Sequence, residues 1–297
     1  MNRLIKATID FIRNDLLGEG VIIMNDEALY SCDEMQIKII HNRHVAYEFL
    51  KYKSRYDYLY QFYDLEETNW QNVICYGLYD GEELKQIVLV AINYGIPVLI
   101  AASYEDNLHN ITLLKRIKMF LPSKFYTHID KETLNCVFSE DKMSDMQEYM
   151  NMGFLQIPQD EFKDDAIRVG YPQIGEIKDL LSVSYPEAWL DDELLKLNRN
   201  FGIYKDDKLI SFAGIHAYSK EYQVAAIAHV TTHPDYRRQG YGVKVVSSLI
   251  NDLKRDIQYI GLNVRTDNLD AINCYKKLGF EECGVFLACE IEILNKA

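Results

Sequence analysis

Residues 230–243 read Val-Thr-Thr-His-Pro-Asp-Tyr-Arg-Arg-Gln-Gly-Tyr-Gly-Val and contain the pattern Arg237-x-x-Gly240-x-Gly242. The pattern lies between a predicted strand and the start of a predicted helix. Two glycines let the backbone turn tightly, and the unpaired N–H groups at the head of a helix then point outward. Such a nest, with the helix dipole behind it, can hold a pyrophosphate. On spacing alone, a loop that merely turns the chain is an equal alternative.

A second group of chemically capable residues follows on a predicted helix. Its pattern is Asn268-x-x-Ala271-x-x-x-Tyr275-x-x-x-Gly279-Phe280. A tyrosine phenol can protonate a leaving group as general acid, or it can pack as an aromatic ring under a sheet. Asn268 can cap the helix that follows it, and this role is compatible with ligand binding.

The two patterns together resemble those of the GCN5-related N-acetyltransferase (GNAT) superfamily. Its hallmark is R/Q-x-x-G-x-G/A after a bulged strand, followed by a later N-x-x-A-x-x-x-Y-x-x-x-G-F helix. The resemblance covers about 176–290 and is strongest to two-domain members with an FR47-like C-terminal half. It implies transfer of an acetyl or acyl group from coenzyme A to an amine, with acetyl-CoA as co-substrate and no metal. The acceptor would be a small-molecule or peptide amine.

The resemblance also implies roles for individual residues. Tyr275 would protonate the departing thiolate, and Asn268 would hydrogen-bond the pantetheine. Two further sets would bind acetyl-CoA through the backbone: the pantetheine at Val230, Thr231 and Thr232, and the pyrophosphate at Arg237, Arg238, Gln239, Gly240, Tyr241, Gly242 and Val243. A solvated charge is the alternative for the side chain of Arg238, since the main chain would make these contacts.

The general base is where this sequence departs from the family pattern. The usual positions hold Ala226, Ala228 and Asn263, none of which can accept a proton. Strand alternation predicts that His229 faces away from Ala228. The alternatives are His216, Glu290, or water with backbone carbonyls. Tyr185 and Trp189 lie where the family's first helices flank the acceptor cleft, and core packing is an equal alternative for both.

Periodicity and turn signals predict the elements that position these residues. The second half has helices over 176–199, 243–255 and 269–278 and strands over 201–204, 208–217, 223–232, 260–264 and 280–293. The first half has helices near 4–17, 42–64, 108–120 and 142–152 and strands near 73–79, 85–92, 96–103 and 124–129. With the resemblance, this order predicts an α/β (α+β) chain of tandem acyl-CoA N-acyltransferase folds. Each fold would be a mixed, mostly antiparallel sheet flanked by helices.

Two internal matches indicate a duplication. The segment at 77–81 matches that at 202–207 with an offset of 125, and 149–154 matches 275–280 with an offset of 126. We therefore expect a boundary near 158–163, between a degenerate GNAT-like domain without a cofactor loop (1–160) and a GNAT N-acetyltransferase domain that binds acetyl-CoA (161–297). The stretch equivalent to the loop would be about 112–117, and no glycine occurs from 96 to 152. The tyrosine-rich first half would then wall or select the acceptor site.

Charge and cysteine content limit the function classes. The 297 residues carry 32 Lys and Arg against 45 Asp and Glu, so the net charge of −13 disfavours nucleic acid as a partner. The six cysteines form no CxxC pair, which argues against a metal ribbon or redox motif.

We expect a cytoplasmic monomer or homodimer without a membrane segment. Direct attack on the thioester is favoured over a cysteine acyl-enzyme, and a non-catalytic coenzyme A sensor or scaffold is the alternative function.

Overall fold

A computed structural model describes residues 35–294, except 93, 94, 106, 156–165, 187 and 189. The helix predicted near 4–17, the boundary predicted near 158–163 and Trp189 lie outside the described residues. None of the helices within the described ranges has the length and hydropathy of a membrane span.

The described residues form twelve strands and nine α-helices. The strands are β1 (Met35–Ile39), β2 (Val73–Asp80), β3 (Glu83–Ala91), β4 (Val98–Ala101), β5 (Lys124–Ile129), β6 (Lys142–Phe154), β7 (Ile167–Val169), β8 (Asn200–Lys205), β9 (Lys208–Ser219), β10 (Val224–Thr232), β11 (Tyr259–Arg265) and β12 (Phe280–Glu292). The helices are α1 (Arg43–Leu50), α2 (Leu59–Asp64), α3 (Glu67–Trp70), α4 (Asn107–Ile117), α5 (Lys131–Phe138), α6 (Ile174–Ser184), α7 (Asp192–Lys196), α8 (Tyr241–Leu253) and α9 (Leu269–Lys277).

The chain folds as two compact units that do not coincide with the predicted halves 1–160 and 161–297. Unit 1 contains the described residues within 1–49, 72–144 and 290–297, and unit 2 contains 50–71 together with those within 145–289. Two pieces of the first half, α2–α3 and most of β6, therefore pack with the second half. The helix predicted over 42–64 is split between the units, because α1 ends at Leu50 and α2 begins at Leu59.

Each unit has the same order of strand pairing. In unit 1, β1, β2, β3 and β4 pair antiparallel in sequence, and β4 then pairs parallel with β5 across α4. In unit 2, β7, β8, β9 and β10 pair antiparallel in sequence, and β10 pairs parallel with β11 across α8. The predicted mixed, mostly antiparallel sheets are confirmed.

Only one of the two internal matches joins equivalent positions. At an offset of 125, the segment 77–81 in β2 and the turn after it correspond to 202–207 in β8 and its turn. The second match fails, because 149–154 lies in β6 whereas 275–280 spans the end of α9. The helix predicted over 142–152 is likewise wrong. Pairing of Tyr149–Gly153 with Arg265–Gly261 of β11 outweighs the local helix propensity of this segment.

The core of unit 2 lies between the sheet and the helices that follow β10 and β11. Helix α8 buries residues at helical spacing, including Val245, Val246, Leu249 and Leu253. They pack with Ile227 and Leu262 of the sheet in one apolar cluster. This packing fixes the first turn of α8 relative to the end of β10.

Candidate active site

The loop from β10 to α8 has the conformation that its glycines predict. After a short 3-10 turn (Pro234–Tyr236), Arg238 has a φ of 64° and Gly240 a φ of 83°. Gly240 is the N-cap of α8, and no side chain of the described residues caps it. The first helical hydrogen bond is donated by Lys244 N to Gly240 O at 3.2 Å. The N–H groups before Lys244 are therefore available to an anion.

Strands β10 and β11 part beside this loop. They pair only from Val224 to Ile227, against Tyr259–Leu262, although β10 continues to Thr232. Among the described strands, the remainder of β10 keeps a partner only on the β9 side. The parting opens an edge of β10 at Val230–Thr232, where an extended ligand can add like a strand.

A cavity of about 760 Å³ lies between the parted strand and the two helix starts. It brings together most of the residues predicted from sequence: Val230, Thr231, Thr232, Arg237, Arg238, Gly240, Tyr241, Gly242, Val243, Asn268 and Tyr275. Gln239 does not line it, because its side chain turns back and donates from Nε2 to Asp235 O at 3.4 Å. Tyr185 does line it, which sequence left open between packing and acceptor contact.

The two arginines of the motif differ in their contacts. Arg237 donates from Nε to Thr232 O at 3.2 Å and from Nη2 to Ser184 O at 3.4 Å, so it ties the loop to the ends of β10 and α6. Arg238 is 82% exposed and lies 3.4 Å from Asp270. An exposed pair of this kind contributes little to stability. Arg237 therefore braces the loop, while Arg238 is a solvated charge at its rim.

Asn268 combines the two roles considered for it. Its Oδ1 accepts a hydrogen bond from Ala271 N at 3.2 Å and so caps α9. The same residue lines the cavity.

Tyr275 is buried, with 7% of its surface exposed, and lines the cavity. Its ring meets Phe280 edge-on at 5.9 Å. Burial, followed by the neighbouring Cys274 and Tyr185, raises the pKa of the phenol well above its usual value. The hydroxyl is therefore protonated at neutral pH and can act as a donor.

Cys274 also lines the cavity, which the expected turn of the helix away from Tyr275 did not predict. Burial raises the pKa of its thiol to about 11. The thiol is therefore protonated near neutral pH, and a nucleophilic thiolate is disfavoured.

The residues around the predicted base positions depart from regular strand geometry. The β9–β10 register shifts between Ala226 and Ile227 and again between Ala228 and Thr231, and His229 in the second shift has a φ of 54°. Strand alternation does not hold through a bulge, so the predicted orientation of His229 has no basis. The His229 ring meets that of His216 edge-on at a centroid distance of 6.1 Å.

Tyr60 is the third aromatic ring of the group that contains His216 and His229. No sequence motif predicts this contact. Tyr60 lies on α2, and its ring meets His216 at 5.8 Å. Tyr185 lies close enough to raise the pKa of both Tyr60 and Tyr275. The signal in the sequence is the tyrosine-rich stretch near residue 60, for which interface packing and binding of an aromatic or extended acceptor are both open interpretations.

Glu290, an alternative for the general base, does not line the cavity. It belongs to unit 1, where Lys124 lies 2.8 Å from its carboxylate and Ser144 donates to it at 3.2 Å. Hydrogen bonding from Lys124 lowers the pKa of Glu290. Its proposed use as a base therefore has no support from these contacts.

Unit 1 has no counterpart of the loop within its described residues. Strand β4 pairs with β5 along its whole length and ends there, so these strands do not part. The connection to α4 is 102–106 and holds no glycine. The stretch 112–117, predicted as the equivalent of the loop, lies within α4 instead. Strand β10 has nine residues and β4 has four, so the loop after β10 has no equivalent at the offset of 125 in the first half.

No three His, Cys, Asp or Glu side chains of the described residues are grouped to hold a metal ion.

Comparisons with known proteins agree with this geometry. The model of the Acetyltransferase (GNAT) family matches residues 173–280, the part that holds the loop, the parted strands and Tyr275. A [ribosomal protein bS18]-alanine N-acetyltransferase of Escherichia coli K12 is 34% identical over 87 residues, 29% of this chain and 57% of that protein. An uncharacterised Mycobacterium leprae protein is 36% identical over 106 residues, 34% of this chain and 28% of that protein. The chain thus spans less than two thirds of the length of these relatives.

Two solved structures share the fold over most of the chain. A Drosophila protein has a TM-score of 0.64 at 13% identity, covering 86% of this chain and 98% of its own. A GCN5-related N-acetyltransferase from Sphaerobacter thermophilus has a TM-score of 0.57 at 9% identity, covering 87% of this chain and 95% of its own. Together, the motif geometry and the family match show that residues 173–280 are similar to the Acetyltransferase (GNAT) family, and the solved structures share the fold of this chain over most of its length.

Proposed function

We propose that unit 2 transfers an acetyl or acyl group from coenzyme A to a primary amine by direct attack within a ternary complex. One observation carries this proposal. A single cavity combines an open strand edge at Val230–Thr232, the uncapped start of α8 and the buried, protonated phenol of Tyr275.

Acetyl-CoA fits the chemistry of these groups as a substrate. The N–H groups at the start of α8 suit the pyrophosphate, because unpaired donors and the helix dipole both favour negative charge there. The edge of β10 at Val230–Thr232 suits the amide-rich pantetheine arm. Arg237 keeps the loop and the end of β10 in fixed relation through Thr232 O.

Tyr275 would supply the proton that the departing thiolate needs. The amine nitrogen attacks the thioester carbonyl carbon, the C–S bond breaks, and the phenol protonates the sulfur. Because burial raises its pKa, Tyr275 holds this proton at neutral pH until negative charge develops on sulfur.

Cys274 supports direct attack over a covalent acyl-enzyme. A ping-pong route would need a thiolate in the cavity, and burial keeps this thiol protonated.

The first half would contribute in two ways. Unit 1 would be a degenerate GNAT-like domain, since its β4 neither extends past β5 nor leads into a glycine loop. Residues 50–71, which pack in unit 2, would supply Tyr60 to the acceptor side of the site.

The acceptor would be a small-molecule or peptide amine. The matched Escherichia coli relative is named as an alanine N-acetyltransferase of a ribosomal protein, which makes a peptide with an N-terminal alanine a reasonable first acceptor. The net charge of −13 disfavours nucleic acid. A cytoplasmic location is consistent with the free cysteines of the described residues, and the protein would be a monomer or homodimer.

Calorimetric titration with acetyl-CoA, followed by a thiol-release assay over an amine panel, tests this function. The panel should include a peptide with N-terminal alanine, a polyamine, an amino sugar and free amino acids. We expect saturable binding and thiol release that depends on one amine class. Binding without any amine-dependent release would favour the coenzyme A sensor instead.

A further inference from the structure

The cavity beside the β10–α8 loop is lined by two different flanks of α9. Tyr275 and Lys277 both line it, although residues two apart in an α-helix project about 200° apart around the axis. Asp270, Cys274 and Lys277 also line it, and their spacing of i, i+4 and i+7 puts them on one side of the helix, here called the outer flank. The cavity therefore extends past Tyr275 and along the outer flank of α9.

The outer flank begins at the loop that is proposed to bind the pyrophosphate. Asp270 lies 3.4 Å from Arg238 of that loop, and both side chains are exposed. Lys277 is seven residues farther along α9, which corresponds to about 10 Å along the helix axis. A group attached to the pyrophosphate on the side away from the pantetheine can therefore lie against the outer flank, between Asp270 and Lys277.

The charges in the cavity lining suit an anion at the Lys277 end. The described lining residues include three basic side chains and one acidic one: Arg237, Arg238, Lys277 and Asp270. Arg237 donates to backbone carbonyl oxygens and Arg238 lies beside Asp270, so both arginines have partners within the protein. Lys277 is exposed. Burial raises the pKa of Cys274 and the charge of Lys277 opposes this shift, so the ammonium lies near that thiol and faces the same part of the cavity.

We propose that Lys277 binds the 3′-phosphate of coenzyme A, with the adenosine lying against the outer flank of α9. This inference rests on the proposed function, in which the start of α8 binds the pyrophosphate. The 3′-phosphate is carried by the ribose, on the side of the pyrophosphate away from the pantetheine. A phosphate monoester is largely a dianion at neutral pH, and a lysine ammonium is a suitable partner for it. Lys277 would then select a donor with its nucleotide intact over a thioester of phosphopantetheine alone.

Calorimetric titration with coenzyme A and with 3′-dephospho-coenzyme A tests this assignment without any acceptor. The two probes differ only in the phosphate that Lys277 would contact. We expect the wild type to bind coenzyme A about tenfold more tightly than the dephospho form, because the latter cannot make the charge-assisted hydrogen bond. The ratio of the two affinities should decrease as the ionic strength rises, since salt screens an exposed pair of charges.

Lys277→Gln removes the charge and keeps a residue of similar helix propensity. Its affinity for coenzyme A should fall about tenfold, while its affinity for 3′-dephospho-coenzyme A should be unchanged. The dephospho probe thus also reports that the site is folded. Lys276→Gln is the matched control, because Lys276 is exposed on the same helix and does not line the cavity. This control should discriminate between the probes as the wild type does.

Equal affinity of the wild type for the two probes would overturn the proposal, and so would unchanged discrimination in Lys277→Gln. Loss of discrimination in Arg238→Gln but not in Lys277→Gln would also overturn it, because the phosphate would then lie at the loop. Binding of neither probe to the wild type would instead contradict the proposed function.

Discussion

The ring of His229 meets the ring of His216 edge-on at a centroid distance of 6.1 Å, at the point where the register of β9 and β10 is broken. Both rings are buried enough that the pKa of each is lowered, that of His229 to about 4. The irregular pairing of β9 and β10 therefore brings together two imidazoles that are neutral at neutral pH.

Stability should depend on pH through His229. In the unfolded chain its pKa is about 6.5, so the unfolded state takes up a proton below that pH while the native state does not until about pH 4. The native state should lose about 1.4 kcal/mol per pH unit across this window from His229 alone. Denaturant unfolding between about pH 7 and pH 4.5 should show a shallower decline for His229→Asn than for the wild type. Identical slopes would contradict the low native pKa, and His44→Asn should match the wild type.

Tyr275→Phe removes the proposed acid and keeps the ring that packs against Phe280. We expect kcat to fall by about 100-fold or more, because the thiolate must then leave without a proton donor. Affinity for acetyl-CoA, measured by calorimetry, should change little. Unchanged turnover would show that another group protonates the sulfur.

Gly240 and Gly242 should respond differently to alanine. Gly240 has a φ of 83°, so an alanine there should destabilise the fold by about 1–2 kcal/mol. At Gly242 an added Cβ meets only Thr232 Oγ1 at 3.8 Å, and alanine suits a helix better by up to about 1 kcal/mol. Both variants should nevertheless bind acetyl-CoA more weakly, since both alter the loop proposed to bind the pyrophosphate. Gly175→Ala, in the first turn of α6 with open space around it, should gain stability and keep its affinity.

Cys274→Ser tests direct attack. Because burial raises the pKa of the Cys274 thiol to about 11, we expect turnover within about threefold of the wild type and no acylated protein after incubation with acetyl-CoA alone. Intact-protein mass spectrometry provides the second measurement. A stable acyl adduct that the serine variant lacks would point to a covalent route.

Much of unit 2 could be predicted from sequence because its local signals agree with its tertiary structure. The strands around 201–232 and the helices at 243 and 269 have clear periodicity, and Gly240 and Gly279 take the positive φ angles that their positions suggest. The RxxGxG pattern was informative because Gly240 adopts a positive φ, which the loop backbone requires and other residues rarely adopt.

The missed features depend on contacts between distant segments. The sequence of β6 has the local pattern of a helix. The segment forms a strand instead because Tyr149–Gly153 pairs with β11. The left-handed backbone of His229 belongs to a bulge that no turn residue in the sequence indicates. Tyr60 contacts His216 from a segment more than 150 residues away in sequence. A single sequence carries no direct signal for such contacts.

The central claim is tested most directly by thiol release from acetyl-CoA in the presence of the N-terminal alanine peptide and the other amines. The wild type and Tyr275→Phe should be measured side by side, with acetyl-CoA binding checked for both. We predict amine-dependent release by the wild type, an acetylated amine as product, and a loss of about 100-fold in Tyr275→Phe at unchanged affinity. Tight acetyl-CoA binding by the wild type with no amine-dependent release from any acceptor would contradict the account.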